Sequence, residues 1–365
     1  MNRSILHVIT TIDLGGAEKQ LLTLAACQSE AGFNVEIIFL KDKPTLLQEF
    51  LELGVRVDLD FAPLGFLKQC LKLRRKKFQE NCVIHAHLPR AELLCAFAIK
   101  PKRFIVTRHN SEPFFPKGPA VLSKLLSRFV LKRSFASISI SKAVANYLET
   151  SGEIRFMQNN HVIYYGIKDT SISPRRNLGS VSGPIQIGTV SRLVPQKNLP
   201  LLLGALKELS SQKSHRFNLT IVGSGPLKTE LRSLSVNLGI ENMVKWKGQL
   251  SEIVPFYRSL DIFVLPSNYE GFGLVLLEAM SQGIPVIARR VSAIPEVMGE
   301  EHPGLLDSSN PIDLAKKIRE LSVDRILIKT CLDYQAQRLK LFSIDKTLSA
   351  HNRLYFSLIE ENKQN

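Results

Sequence analysis

The chain has 365 residues and a mass of 40.9 kDa, more than one hydrophobic core usually serves, so two domains are expected. A hydrophobic content of 44% excludes a disordered polypeptide, and no apolar run approaches the roughly 18 residues that a membrane-spanning helix needs. The formal net charge of +15 is lopsided: residues 1–178 hold 26 Lys and Arg against 15 Asp and Glu, and residues 68–133 alone hold 16 against 3, which points to an anionic partner for the first half.

In chain order, MNRSILHVITTIDLGG reads as a strand and its loop rather than a secretory leader. Further strands are expected at 34–40, 55–61, 82–88, 104–109, 136–140 and 161–165, then at 185–190, 217–223, 243–248, 261–266 and 285–290. Between them GAEKQLLTLAACQSEAG (16–32), LPLLLGALKELSSQ (199–212) and PLKTELRSLSVNLG (226–239) show helical apolar spacing. Continuous apolar strands separated by helices specify an α/β fold, with parallel sheets covered on both faces. The two halves echo each other, and KDTSISPRRNLGSVSGP (168–184) between them has linker composition. We therefore expect a first domain at 1–178, a second at 179–345, and a terminal helix at 346–365 returning to the first. Five scattered cysteines, Cys27, Cys70, Cys82, Cys95 and Cys331, show no CxxC spacing and fit a reducing, cytoplasmic setting.

In open parallel sheets ligands lie beyond the carboxyl ends of the strands, so the loops there are where chemistry is sought. SRLVPQKN brackets a strand-to-helix turn with Arg192 and Lys197, a pair suited to a diphosphate at a helix start; a solvent-facing basic loop is the plain alternative. Gly15 and Gly16 follow the first strand without forming a dinucleotide fingerprint, a weak signal alone, and the same holds for GSGP (223–226), a turn after a strand that reads equally as plain loop punctuation. In SNYEGFGLVLLEAMSQGIPVIA (267–288), Glu270 precedes a glycine turn and Glu278 lies in the helix beyond it. The amides of Gly271, Phe272, Gly273 and Leu274 would face a phosphate there, and the two carboxylates would accept hydrogen bonds from paired sugar hydroxyls. The plain alternative makes Glu270 a helix cap and Glu278 a surface residue. His85 and His87 alternate on one strand and share a face, but no third ligand is evident in sequence, so a structural or acceptor-side role is favoured over a metal.

These motifs together resemble the GT-B retaining glycosyltransferases of family 4, of the bacterial cell-surface polysaccharide type. SNYEGFGLVLLEAMSQGIPVIA is similar to the E-x7-E signature, and VSRLVPQKN, IVGSGPLKTEL and GGAEKQLLTLA fall in the family's order. The resemblance implies two Rossmann-like doubly wound domains facing a cleft, no metal or other cofactor, and a nucleotide-activated sugar, a UDP- or GDP-sugar, as donor. It implies that Glu278 holds the ribose, that Arg192 and Lys197 hold the diphosphate, and that Glu270 with the amides of Gly271, Phe272 and Gly273 holds the sugar and β-phosphate. Gly248 and Gln249 would meet the base, Gly15 and Gly16 would close on the phosphates, and His109, at a strand end, would contact the donor sugar. YYGIK (164–168) and Ser224 depart from the family's usual residues.

For the acceptor, VLSKLLSRFVLKRSF (121–135) places Lys124, Arg128, Lys132 and Arg133 between apolar residues, beside Phe114 and Phe115. This basic amphipathic segment fits an anionic membrane surface, with residues 68–133 on the inner face of the cytoplasmic membrane and a glycan or glycolipid as acceptor. An ordinary core helix with a solvated basic face is the competing reading. An epimerase or phosphorylase on the same fold, a two-carboxylate glycosidase, and a basic nucleic-acid-binding protein are the rival functions. The phosphate-binding pair argues against the glycosidase, and 7% aromatic content without a nucleic-acid module argues against the last.

Overall fold

A computed structural model describes residues 4–79, 81–154, 159–171, 183–211 and 216–364. Along the chain run β1 (Ser4–Ile9), α1 (Gly16–Glu30), β2 (Asn34–Phe39), α2 (Leu47–Glu52), β3 (Arg56–Asp58), α3 (Phe66–Arg75), β4 (Cys82–His87), α4 (Pro89–Ala98), β5 (Phe104–Arg108), α5 (Ala120–Arg133), β6 (Ala136–Ser139), α6 (Lys142–Thr150) and β7 (Asn160–Val162). They continue as β8 (Ile185–Val190), α7 (Leu199–Ser210), β9 (Phe217–Val222), α8 (Lys228–Asn237), β10 (Val244–Lys247), α9 (Val254–Arg258), β11 (Ile262–Leu265), α10 (Leu274–Ser281), β12 (Val286–Arg289), α11 (Ile294–Met298), β13 (Leu305–Leu306), α12 (Pro311–Val323), α13 (Arg325–Leu339) and α14 (Ile344–Gln364). Contacts divide the chain into two compact units, residues 1–168 with 342–365, and residues 169–341. Most of the linker-like stretch lies outside the described residues.

The first unit is a seven-stranded parallel sheet in the order β3-β2-β1-β4-β5-β6-β7. Strand alternation assigns its two faces. Leu6 and Val8 of β1, with Ile84 and Ala86 of β4, enter the core under α3, α4 and α5, while Ile5, Ile9 and Val83 face the side covered by α1 and α14. The last helix therefore belongs to the first unit, packing on α1 and β4. Where the chain re-enters, Ile167 bridges Ser343.

The second unit is a six-stranded parallel sheet in the order β10-β9-β8-β11-β12-β13. Its core joins Ile187 and Leu219 of the sheet to Leu202 and Leu206 of α7 and Ile318 of α12. β13 has two residues, too few to leave a periodic signal. In each sheet the strand order reverses beside the unit's first strand, between β1 and β4 and between β8 and β11. A ligand crevice is expected at such a switch point.

Candidate active site

The loops after β8 and β11 meet at the second unit's switch point, and backbone and side-chain bonds stitch them together. The Asn268 amide donates to the Gln196 carbonyl at 2.8 Å, the Gln196 side-chain amide donates to the Tyr269 carbonyl at 3.0 Å, and Arg289 holds the Asn268 side chain at 2.7 Å. The β8 loop is fixed from its other side by the GSGP turn. A Cβ on Gly223, whose φ is +133°, would sit 2.0 Å from the Ser191 carbonyl oxygen, and one on Gly225 would sit 2.5 Å from that of Leu193. Leu193 in turn donates to Ser224 at 2.8 Å. These glycines let two strand-end loops lie backbone to backbone, which determines where Arg192 and Lys197 stand.

Arg192 is exposed, its guanidinium donating to the Gln196 side-chain oxygen at 3.3 Å. Lys197 ends a 3-10 turn at Pro195–Lys197, and its ammonium donates to Glu270 Oε1 at 2.5 Å. Ser267 donates to the same oxygen at 2.6 Å. Glu270 is buried, so this pairing is what makes a carboxylate tolerable there. The role of helix cap for Glu270 is thus replaced by an ion pair. The N-cap of α10 is Gly273, in the left-handed region at φ +91° and with no capping side chain. α7 likewise starts without one, at left-handed Asn198. Two helix starts at the switch point therefore present first-turn N–H groups that no capping side chain satisfies, beside two cations.

Glu278 lies in α10, half-buried, and its Oε2 accepts a hydrogen bond of 2.7 Å from Tyr257 of α9. The Tyr257 side chain is fully buried, and burial followed by the neighbouring carboxylate holds its hydroxyl pKa well above the usual value, so it remains a donor. Gly248 and Gln249 are exposed just beyond β10, where the Gly248 carbonyl accepts from the Gly223 amide at 3.2 Å. Gly271 and Phe272 are buried between Glu270 and the start of α10, where Leu274 is the first helical residue. Sequence reasoning missed Ser267, Gln196 and Tyr257. Ser267 stands inside the quoted acidic motif, whereas Tyr257 sits one element earlier with no local pattern to mark it.

In the first unit, Gly15 is the N-cap of α1 and Gly16 its first residue, after β1 and at the switch point. His109 follows β5, and both of its ring nitrogens are engaged: Nε2 lies 3.3 Å from His87 Nδ1, and Nδ1 is hydrogen-bonded to the Tyr165 hydroxyl. The chain of bonds continues from His87 Nε2 to His7 Nδ1 at 2.9 Å and from His7 Nε2 to Gln28 Oε1 at 2.8 Å. An amide oxygen can only accept, so His7, His87 and His109 each carry the proton on Nε2, and the Tyr165 hydroxyl donates to His109 Nδ1. Burial pushes the pKa of His7 down to about 4 and that of His109 to about 3, so the rings are neutral at physiological pH. His7 is the third imidazole beside His85 and His87 that the sequence did not reveal, since it arrives from β1. The ring nitrogens of His85 face the hydroxyls of Tyr355, at 2.7 Å, and Thr107, at 2.6 Å. All six nitrogens of the trio have partners within the protein, the pattern of a satisfied polar core.

Comparison with known proteins places these observations. The family model of glycosyl transferases group 1 matches residues 172–338, and that of glycosyltransferase family 4 matches residues 14–170. An uncharacterized glycosyltransferase of Methanocaldococcus jannaschii is 26% identical over 305 residues, 82% of each chain. The N-acetyl-alpha-D-glucosaminyl L-malate synthase of Bacillus anthracis is 23% identical over 77% of this chain and 76% of its own. Among solved structures, the Anabaena protein HepE in complex with UDP and glucose superposes with a TM-score of 0.80 at 20% identity, covering 97% of this chain and 99% of that one. That likeness shows a shared GT-B fold.

Proposed function

We propose that this chain, which belongs to the family 4 glycosyltransferases of the GT-B fold, moves a sugar from a nucleoside diphosphate donor to a hydroxyl of a glycan or glycolipid, with retention of configuration. The observation that carries this reading is the joining of Arg192, Lys197, Glu270 and two helix starts without capping side chains at the β8/β11 switch point. HepE, which shares the fold, was solved with UDP and glucose, which supports a uridine diphosphate sugar as the first donor to test.

In this reading Lys197 retains two ammonium protons beyond the one given to Glu270, and those, with the Arg192 guanidinium and the helix-start amides, receive the diphosphate. Both of Glu270's contacts from Lys197 and Ser267 fall on Oε1, so Oε2 is the oxygen to which a donor-sugar hydroxyl would give its proton. Glu278, oriented by Tyr257, takes the ribose hydroxyls, and the Gly248–Gln249 turn meets the base. As the bond from the anomeric carbon to the phosphate oxygen breaks, charge gathers on the diphosphate, where the cations and amides stabilise it. The acceptor oxygen then bonds to the same face of the anomeric carbon, and its proton passes to the departing phosphate. No protein nucleophile is needed. His109 acts here by holding Tyr165 and the strand end, because a ring nitrogen could reach a sugar only by releasing a present partner.

The acceptor is taken to be lipid-linked, and the protein to work peripherally at the inner face of the cytoplasmic membrane. No described helix is long and apolar enough to cross a bilayer, and the basic excess of residues 68–133 supports surface attraction to anionic lipid. A thermal-shift panel of UDP, GDP, ADP and their sugars tests the donor reading, since a ligand bound only by the folded state raises the apparent stability. One diphosphate series should stabilise the wild type and fail to stabilise Lys197→Ala. Stabilisation of both proteins alike would overturn the site.

A further inference from the structure

A helix lying on a sheet normally turns its apolar stripe inward and its polar side chains to water. The first two turns of α5 reverse that order. Ser123 and Ser127 point inward at 2% and 0% exposure, while Val121, Leu122 and Leu125 stand out at 73%, 51% and 54%. The inward serines have structural work: Ser123 accepts from the Phe115 amide at 2.8 Å, and Ser127 accepts from Arg108 at 2.9 Å while donating to Glu153. The outward leucines and valine have no such explanation.

The neighbouring helices of the same layer show the same habit. On α3, Leu67 and Leu71 lie one turn apart and exposed, among Lys68, Lys72 and Arg75. On α4, Phe97 is exposed and contacts Phe66 of α3 at 6.3 Å and Phe129 of α5 at 5.1 Å between ring centroids. This row of rings joins three helices, and cations flank it, with Arg90 over Phe66 and Arg133 over Phe129. Within 68–133 acid is scarce, and of its three acidic residues Glu92 is buried against Arg108; of the cations at α3, Lys72 and Lys76 pair with Asp60 and Glu36 from outside that stretch.

We propose that the outer side of the α3–α4–α5 layer docks on an anionic lipid bilayer, with Val121, Leu122, Leu125, Leu67 and Leu71 entering the headgroup boundary while the surrounding lysines and arginines engage lipid phosphates. It deepens the lipid-linked acceptor reading above and rests on it only for its purpose. A bilayer is favoured over RNA because the protruding groups are mainly aliphatic, able to dissolve in acyl chains, whereas bases are held by stacking on exposed aromatics. Long basic side chains on such a face keep their charges at the headgroups while their stems lie along apolar surface.

The test floats the full chain with vesicles of phosphatidylcholine alone and of phosphatidylcholine with about one-third phosphatidylglycerol, at low salt, and measures UDP thermal shift on the same samples. The wild type should float with the anionic vesicles and stay behind with the neutral ones. The exposed-site double variants Leu67→Glu/Leu71→Glu and Val121→Glu/Leu125→Glu should each reduce partitioning about tenfold or more with unchanged melting temperature and UDP response. Absence of flotation by the wild type, undiminished flotation of both variants, or retention of homopolymeric RNA in preference to vesicles would each overturn the docking. Flotation without any UDP response would leave the docking standing and remove the donor reading instead.

Discussion

Tyr257→Phe deletes one oxygen, the donor to Glu278 at 2.7 Å, and leaves the buried ring in place. A hydrogen bond to a charged group contributes about 1.5–3 kcal/mol, and Glu278 is only half-buried, so water can replace part of it; the lower figure, ~1.5 kcal/mol, is the working value. At ~2–4 °C per kcal/mol for a unit of this size, the melting temperature should fall by about 3–6 °C. Freed from its donor, the carboxylate samples other rotamers, and if it holds the ribose then nucleoside diphosphate affinity should weaken by up to about tenfold, the equivalent of ~1.4 kcal/mol. Calorimetric titration with the diphosphate chosen by the thermal-shift panel and with its 2′,3′-dideoxy analogue separates orientation from simple loosening. The wild type should prefer the ribose form, and Tyr257→Phe should lose much of that preference while binding the analogue as before. Equal weakening toward both ligands would make Tyr257 merely structural, and a wild type indifferent to the missing hydroxyls would refute the role of Glu278.

Gly223→Ala drives a methyl group against the Ser191 carbonyl oxygen at a positive φ, so the β8 loop must shift; we expect loss of diphosphate binding with the unit still folded, seen by titration alongside circular dichroism. Glu270→Gln keeps the shape and the bond to Ser267 but weakens the hold on Lys197; turnover should drop ~10–1000-fold while diphosphate binding persists, and unchanged turnover in a product assay would count against Glu270. Stability should also fall in acid. His7 and His351, buried, have folded pKa values near 4, below the ordinary 6.5, so the stability their neutral forms supply is present above pH 6.5 and is lost as pH falls from 6.5 toward 4. Each such shift amounts to about 3 kcal/mol at most, and a melting temperature that stays flat across that window would contradict the buried histidine network.

Much of this was legible in the sequence because the central parallel strands, buried on both faces, are largely apolar, and twelve of the thirteen described strands overlap the stretches expected from that pattern, although short edge strands such as β3 (RVD) and β10 (VKWK) carry polar residues. The candidate site residues of the second unit were legible for a related reason: the ends of strands and starts of helices are fixed by local pattern, and Arg192, Lys197 and Glu270 sit at such junctions, with Glu278 inside the helix that follows. What stayed hidden depends on register between distant strands. His7 faces His85 only because β1 and β4 pair with His7 opposite His85, although 78 residues separate them, and no local pattern records that. The inward serines of α5 were hidden as well. Its apolar spacing is helical, yet which face meets the sheet is decided by Arg108 and Glu153, a buried ion pair that needs Ser127 beside it.

The return of α14 to the first sheet has a consequence for biosynthesis. Tyr355 and His351, with Leu354 and Leu358, cover the histidine face of β1 and β4, and the ribosome adds them only after the whole of the second unit has been made. Throughout that interval the nascent sheet must wait with part of that side, the part not covered by α1, unroofed, while the second unit forms its own contacts. Emergence of α14, rather than of the opening segment, is the event that lets the amino-terminal lobe mature.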